Sequence, residues 1–220
     1  MKQDAAAGTA ARIAFLLSGS GSTLANLLAA VDEGRVHGTI VAAVADRRSA
    51  TGLDHARRAG VPALLVPRRE HRGTAYTEAL LAALAPHRPD WIVLGGFLTC
   101  FPLPPAWAGR VVNVHPSLLP AFGGRGCYGH HVHEMVIERG CRVSGCTVHL
   151  VDDVVDGGPI VEQVAVPVLH DDTPQTLAAR VQAAEREVYP RVLDKLVRGV
   201  WRYEGGRVVR DDESSRPGVG

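Results

Sequence analysis

Apolar residues fall along this chain in two alternating rhythms. Short, mainly apolar runs occupy 12–17, 40–45, 63–66, Trp91–Leu94 and 110–114, broken only by Arg12, Arg110 and Asn113. Each is too short for a helix and rich in Val, Ile, Leu or Ala, so each predicts a buried strand. Between the first four runs, 24–31, 51–59 and Thr74–Leu84 carry helical spacing, with stops near Gly34 and at Gly60 and Pro62. Mainly apolar strands, separated by helices, predict an α/β fold of three layers: a mostly parallel twisted sheet with helices on both faces.

The second half changes rhythm. Gly123-Gly124-Arg125-Gly126 reads as a loop, 129–138 as a helix, and 144–150 and 159–168 as strands around Gly157-Gly158. Thr173 is the expected cap of a long helix reaching 198. Leu177, Val181, Ala184, Val188 and Val192 share one face of it, and Gly199 ends it. Residues 200–210 read as a hairpin around Gly205-Gly206. The organisation expected is a disordered extension at 1–11, one domain at 12–199, and a hairpin and tail at 200–220.

Composition narrows the class. The 220 residues are 46% hydrophobic, and 24 Lys+Arg nearly balance 23 Asp+Glu. No basic stripe suggests nucleic acid, and no apolar run has the length of a membrane helix. The start of the chain does not read as a secretory signal. Cys100, Cys127, Cys141 and Cys146 form no C-x-x-C pair and are too sparse for a disulfide scaffold, so reduced thiols and a cytoplasmic setting are expected.

Three stretches offer chemistry. Ser18-Gly19-Ser20-Gly21-Ser22-Thr23 lies where the first strand hands over to the first helix, a place for an anion on free backbone N–H groups. Leu24 stands where a dinucleotide fingerprint needs Gly or Ala, and no Lys follows as in a P-loop. A phosphate monoester is therefore favoured over a dinucleotide, although Asp46 at the end of the second strand keeps a dinucleotide oxidoreductase open. A plain Gly-rich turn is the remaining alternative. Asn113 and His115, two apart at a strand end, can share a face, stabilise an oxyanion and carry a proton. A local structural use of both residues competes with that. Asp156, before Gly157-Gly158, would orient His115 and favour its cation if the two meet. His130, His131 and His133 lack the acid or Cys that would complete a metal shell. Ser22 and Ser117 lack a nucleophile elbow.

Taken together, NVHPSLLPAF, the downstream VDDVVDGGPI, SGSGST and ARVQAAEREVYP resemble the folate-dependent phosphoribosylglycinamide formyltransferase family, over about 12–199. The resemblance implies a Rossmann-like formyltransferase fold. It implies formyl transfer from 10-formyltetrahydrofolate to glycinamide ribonucleotide in purine biosynthesis, in a monomer or homodimer, without metal, nucleic acid or membrane. Carried over by position, Asn113, His115 and Asp156 would be catalytic. Gly21, Ser22, Thr23, Glu185 and Arg72 would bind the phosphorylated substrate. Leu98, Thr99, Cys100, Phe101, Asn113, Asp152, Asp153, Val154, Val155 and Asp156 would line the folate site. The chain departs from the pattern at Thr23, where Asn is common. It departs again at Thr99 and Gly73, where basic residues are common; Arg72 or Arg125 would supply charge. The nearest rival is a formyltetrahydrofolate hydrolase of the same superfamily, and a further alternative is a binding module that keeps only the fold.

Overall fold

The structure, a computed structural model, describes residues 10–71, 73–99 and 102–210. Strands β1 (Ala11–Leu17), β2 (Gly38–Ala45), β3 (Ala63–Leu65), β4 (Trp91–Leu94), β5 (Val111–His115), β6 (Val143–Leu150) and β7 (Ile160–Pro167) form one sheet in the order 3-2-1-4-5-6-7. The first five are parallel; β6 and β7 are antiparallel additions at one edge. The expected architecture is the one found. β1 opens at Ala11, inside the stretch expected to be an extension; most of that extension (1–9) and the tail (211–220) lie outside the described residues.

Period-2 alternation sorts the strands onto two cores. Ile13, Phe15 and Leu17 face a core closed by α1 (Ser22–Asp32), α2 (Leu53–Arg58), α4 (His130–Glu138) and α5 (Pro174–Val197). Ala14 and Leu16 face the opposite core, closed by Tyr76, Leu80 and Leu84 of α3 (Thr74–Leu84). Thr173 caps α5 as expected, its hydroxyl accepting from the Thr176 N–H while the Thr176 hydroxyl accepts from the Thr173 N–H. Deep in the first core, the fully buried Tyr189 donates to the carbonyls of Leu94 (2.7 Å) and Val112 (3.0 Å). It thereby fixes α5 against the two strands whose ends build the site. The hairpin β8 (Trp201–Glu204) and β9 (Arg207–Arg210) stands apart from the main sheet, with Trp201 packed into the first core. No helix among the described residues is long and apolar enough to cross a membrane.

In this strand order β2 and β3 are added on one side of β1, and β4 and β5 on the other, so the order of winding reverses between β1 and β4. Parallel sheets open a crevice at the carboxyl ends of such a pair. The turn after β1 and the loop after β4 both lie there.

Candidate active site

Gly21 is the N-cap of α1 at φ 73°, and a Cβ built on it would come within 2.6 Å of the Gly52 Cα. Only glycine tolerates both the left-handed backbone and that approach. Ser22 and Thr23 thus form the first turn of α1, two positions earlier than the apolar spacing alone indicated, with the unpaired N–H groups of a helix start around them. They line a cleft of about 350 Å³ whose far wall is α5, including Gln182 and Glu185.

Glu185 is half-buried and has no hydrogen-bond or ion-pair partner among the described residues. Burial pushes its carboxyl up to about 7, against a small opposing pull from Arg186. Between pH 4.5 and 7 the folded chain therefore keeps a proton that the unfolded chain has released, so ionising Glu185 costs stability as pH rises through that window. The Glu185→Gln variant should gain unfolding free energy relative to the unsubstituted chain over that interval and hold the gain above it. Urea titrations at several pH values check this; a difference independent of pH would contradict it.

The second cleft, about 330 Å³, opens on the other side of the β5 end. Gly96, Val114, Pro116 and Gly129 line both, so the two clefts meet. Leu98, Tyr128 and Val155 present exposed apolar surface in its wall. The loop after β4 is held by buried polar groups: the Ser18 hydroxyl accepts from the Leu98 N–H (2.9 Å), and the Thr99 hydroxyl donates to Asp46 (2.6 Å). Burial alone would raise the Asp46 carboxyl; hydrogen bonds from Arg47, Thr99 and Ser18 outweigh it and hold the group below the usual carboxylate range. Asp46 is thus spent on bracing this loop, which removes the sequence ground for a ribose-binding acid.

At the junction, antiparallel pairing sets Asn113 of β5 opposite His149 of β6, and the Asn113 amide nitrogen lies 3.2 Å from His149 Nε2. His149 Nδ1 is 2.9 Å from the Leu150 carbonyl. Donation there leaves Nε2 as the acceptor of one Asn113 N–H, and burial lowers the His149 pKa, which keeps the ring neutral. His115 Nε2 lies 2.8 Å from the Phe122 carbonyl, and its Nδ1 lies 3.4 Å from Asp156. Each ring nitrogen thus faces an acceptor oxygen. Asp156 sits at φ 56°, accepts from the Gly124 N–H (2.9 Å) and lies 3.7 Å from His149. Ser117, by contrast, donates to the Ala121 carbonyl (2.6 Å), so its hydroxyl serves the loop.

Asn113, His115, Asp156, Leu98, Thr99 and Val155 are thus gathered on the second cleft, and Gly21, Ser22, Thr23 and Glu185 on the first. Three expected site residues fall elsewhere. Asp152 and Asp153 line a separate hollow beside Tyr203, and Val154 is 64% exposed outside the second cleft's wall. Asp152 instead accepts from the Val154 N–H (2.8 Å), which shapes the turn leading to Asp156. Arg125 lines the second cleft; Arg72, Cys100 and Phe101 lie outside the described residues. His149 was not foreseen: within CTVHL it reads as one more inward strand residue. Only the antiparallel register of β6 on β5 brings it to Asn113.

A formyl transferase family pattern matches residues 11–193. The chain belongs to the formyl transferase family. Within this formyl transferase set, it is 38% identical over 209 residues to a chloroplastic phosphoribosylglycinamide formyltransferase of Vigna unguiculata, covering 92% of this chain and 67% of that one. It is 37% identical over 186 residues to the phosphoribosylglycinamide formyltransferase of Escherichia coli (strain K12), covering 82% and 84%. The crystal structure of glycinamide ribonucleotide transformylase 1 from Symbiobacterium toebii superposes with a TM-score of 0.84 at 39% identity, covering 91% of this formyl transferase and 94% of that chain.

Proposed function

We propose that this chain transfers a formyl group from 10-formyltetrahydrofolate to the amine of glycinamide ribonucleotide, a step in purine biosynthesis, and that residues 12–199 carry it. The observation that supports this best is the meeting of two clefts at Asn113, His115 and Asp156. One cleft ends in an anion-accepting helix start, and the other is walled by Leu98, Tyr128 and Val155. A phosphorylated amine fits the first. The second suits a flat heteroaromatic with an acyl group directed at the junction.

In this reading the N–H groups of Gly21, Ser22 and Thr23 hold the phosphate. Glu185 holds and orients the amine, which attacks as the free base. The folate supplies the formyl carbon, and placing it beside the amine provides much of the rate. His149 fixes one Asn113 N–H, which turns the other toward the formyl oxygen, where negative charge gathers. His115 Nε2–H exchanges the Phe122 carbonyl for that same oxygen, and Asp156 stabilises the imidazolium. The proton released by the attacking nitrogen passes through His115, or a water beside Asp156, to the departing folate nitrogen. The new C–N bond forms first, moving the C=O electron pair onto the formyl oxygen; when that C=O re-forms, the C–N bond to the folate breaks, with no covalent bond to the protein.

Absorbance of released folate, followed with glycinamide ribonucleotide present and absent, tests the reading. Release that requires the acceptor is expected. Equal release without it would assign the chain to formyltetrahydrofolate hydrolysis instead.

A further inference from the structure

His133 is a buried side chain for which the chemistry above has no task. It stands in the first turn of α4, four residues after Gly129, where the two clefts meet. Its exposure is 3%, and its Nδ1 has no hydrogen-bond partner. The other buried side-chain atoms in that condition among the described residues are the hydroxyls of Tyr76 and Ser144, and neither residue lines either cleft. His133 does line one: the cleft it shares with Ser22, Thr23, Gln182 and Glu185. Its neighbour His130 lines the same cleft but is exposed, with Gln175 at 3.2 Å and Glu134 at 3.7 Å. A buried polar atom without a partner is unfavourable, and such atoms are rare in folded chains. One beside a substrate cleft is satisfied when the ligand arrives.

We propose that His133 is a positioning residue for the acceptor substrate, forming a hydrogen bond to one of its neutral polar groups, a hydroxyl or the carboxamide, and not to its phosphate. The inference rests on the function read above and adds a contact to it. Burial, helped by His130 and His115, pushes the His133 imidazole down to about 4. The ring therefore stays neutral near pH 7 and offers one donor and one acceptor. A neutral ring has no charge to draw a phosphate, and the anion already has a helix start. The task left for this side chain is to hold the sugar or amide part so that the amine faces the junction.

The test compares His133→Leu, which keeps an apolar body of similar size without nitrogen, with His133→Asn, whose amide places a polar atom near the position of Nδ1. The Leu variant should raise the acceptor KM about tenfold, the scale of a lost hydrogen bond that leaves a substrate group unpaired. Its kcat and donor KM should stay within about twofold and its thermal midpoint should not fall, because the change removes a buried unpaired atom. The Asn variant should recover most of the acceptor KM. An acceptor KM within about twofold of normal in the Leu variant overturns the assignment, as does a joint rise of both KM values with a lowered midpoint that Asn does not rescue. If the unsubstituted chain shows no acceptor-dependent turnover, the functional reading itself fails, and this contact with it.

Discussion

Replacing His115 by Ala will lower kcat by at least about 10²–10³, and Asn113→Ala will lower it by a similar factor, because in the proposed mechanism each gives a hydrogen bond to the oxygen where charge gathers. The two donors have different immediate partners. Asn113 is held across the sheet by His149, while His115 is held between Asp156 and the Phe122 carbonyl. Neither variant should unfold the chain: Asn113 is half-buried in the middle of β5, and His115→Ala truncates one buried ring in the wall of a cleft. Acceptor KM should change little in either, since the phosphate end of the first cleft is untouched. The double variant should fall well short of the product of the single losses, because the donors act on one oxygen and a site lacking one no longer holds that oxygen for the other. Steady-state kinetics with both substrates decide it. Near-normal kcat in His115→Ala would remove the imidazole from the mechanism.

The distribution of that machinery explains what could be read from the sequence. The parallel half was legible because its strands are mainly apolar and the connections between the first four carry helical spacing, so 40–45 and Trp91–Leu94 read as buried strands. The turn after β1 was legible as a strand-to-helix junction because its glycines mark a tight turn just before helical spacing begins. Asn113 and His115 were candidates from period alone, since polar residues two apart at the end of a buried strand must be accommodated together. His149 and Asp46 were not legible as what they are. The place of His149 depends on β6 running antiparallel beside β5, which local pattern does not encode. Asp46 has the position of a ribose-binding acid, and only the Thr99 loop, 53 residues away, shows that its carboxylate is already engaged. The acidic stretch before Asp156 is less uniform than the resemblance implied. The resemblance treated 152–156 as one ligand-facing segment; in the structure Val155 and Asp156 line the second cleft, Asp152 and Asp153 line a neighbouring hollow, and Asp152 accepts from the Val154 N–H.

Asp156 itself carries the second large effect. Its carboxylate has three neighbours at once: the Gly124 N–H, His115 Nδ1 and His149 Nε2. It therefore joins the loop at 123–129, which walls the second cleft, to the imidazole. Asn and Ala separate these duties. In Asp156→Asn the amide oxygen can take the place of the oxygen that serves Gly124 and His115, and the NH₂ turns toward the neutral His149. The loop keeps its anchor while the negative charge is lost. The positive His115 ring formed during proton transfer then has no counter-charge, and kcat should fall by about 10² or more, the scale of general acid–base assistance, with donor KM within about threefold. Asp156→Ala also releases Gly124, so the wall of the second cleft loosens and donor KM should rise on top of the same loss in kcat. A kcat for Asp156→Asn within about threefold of normal would mean that the charge contributes nothing and that the carboxylate serves only as a loop anchor. Equal donor KM in the two variants would mean that the Gly124 bond does not shape the cleft.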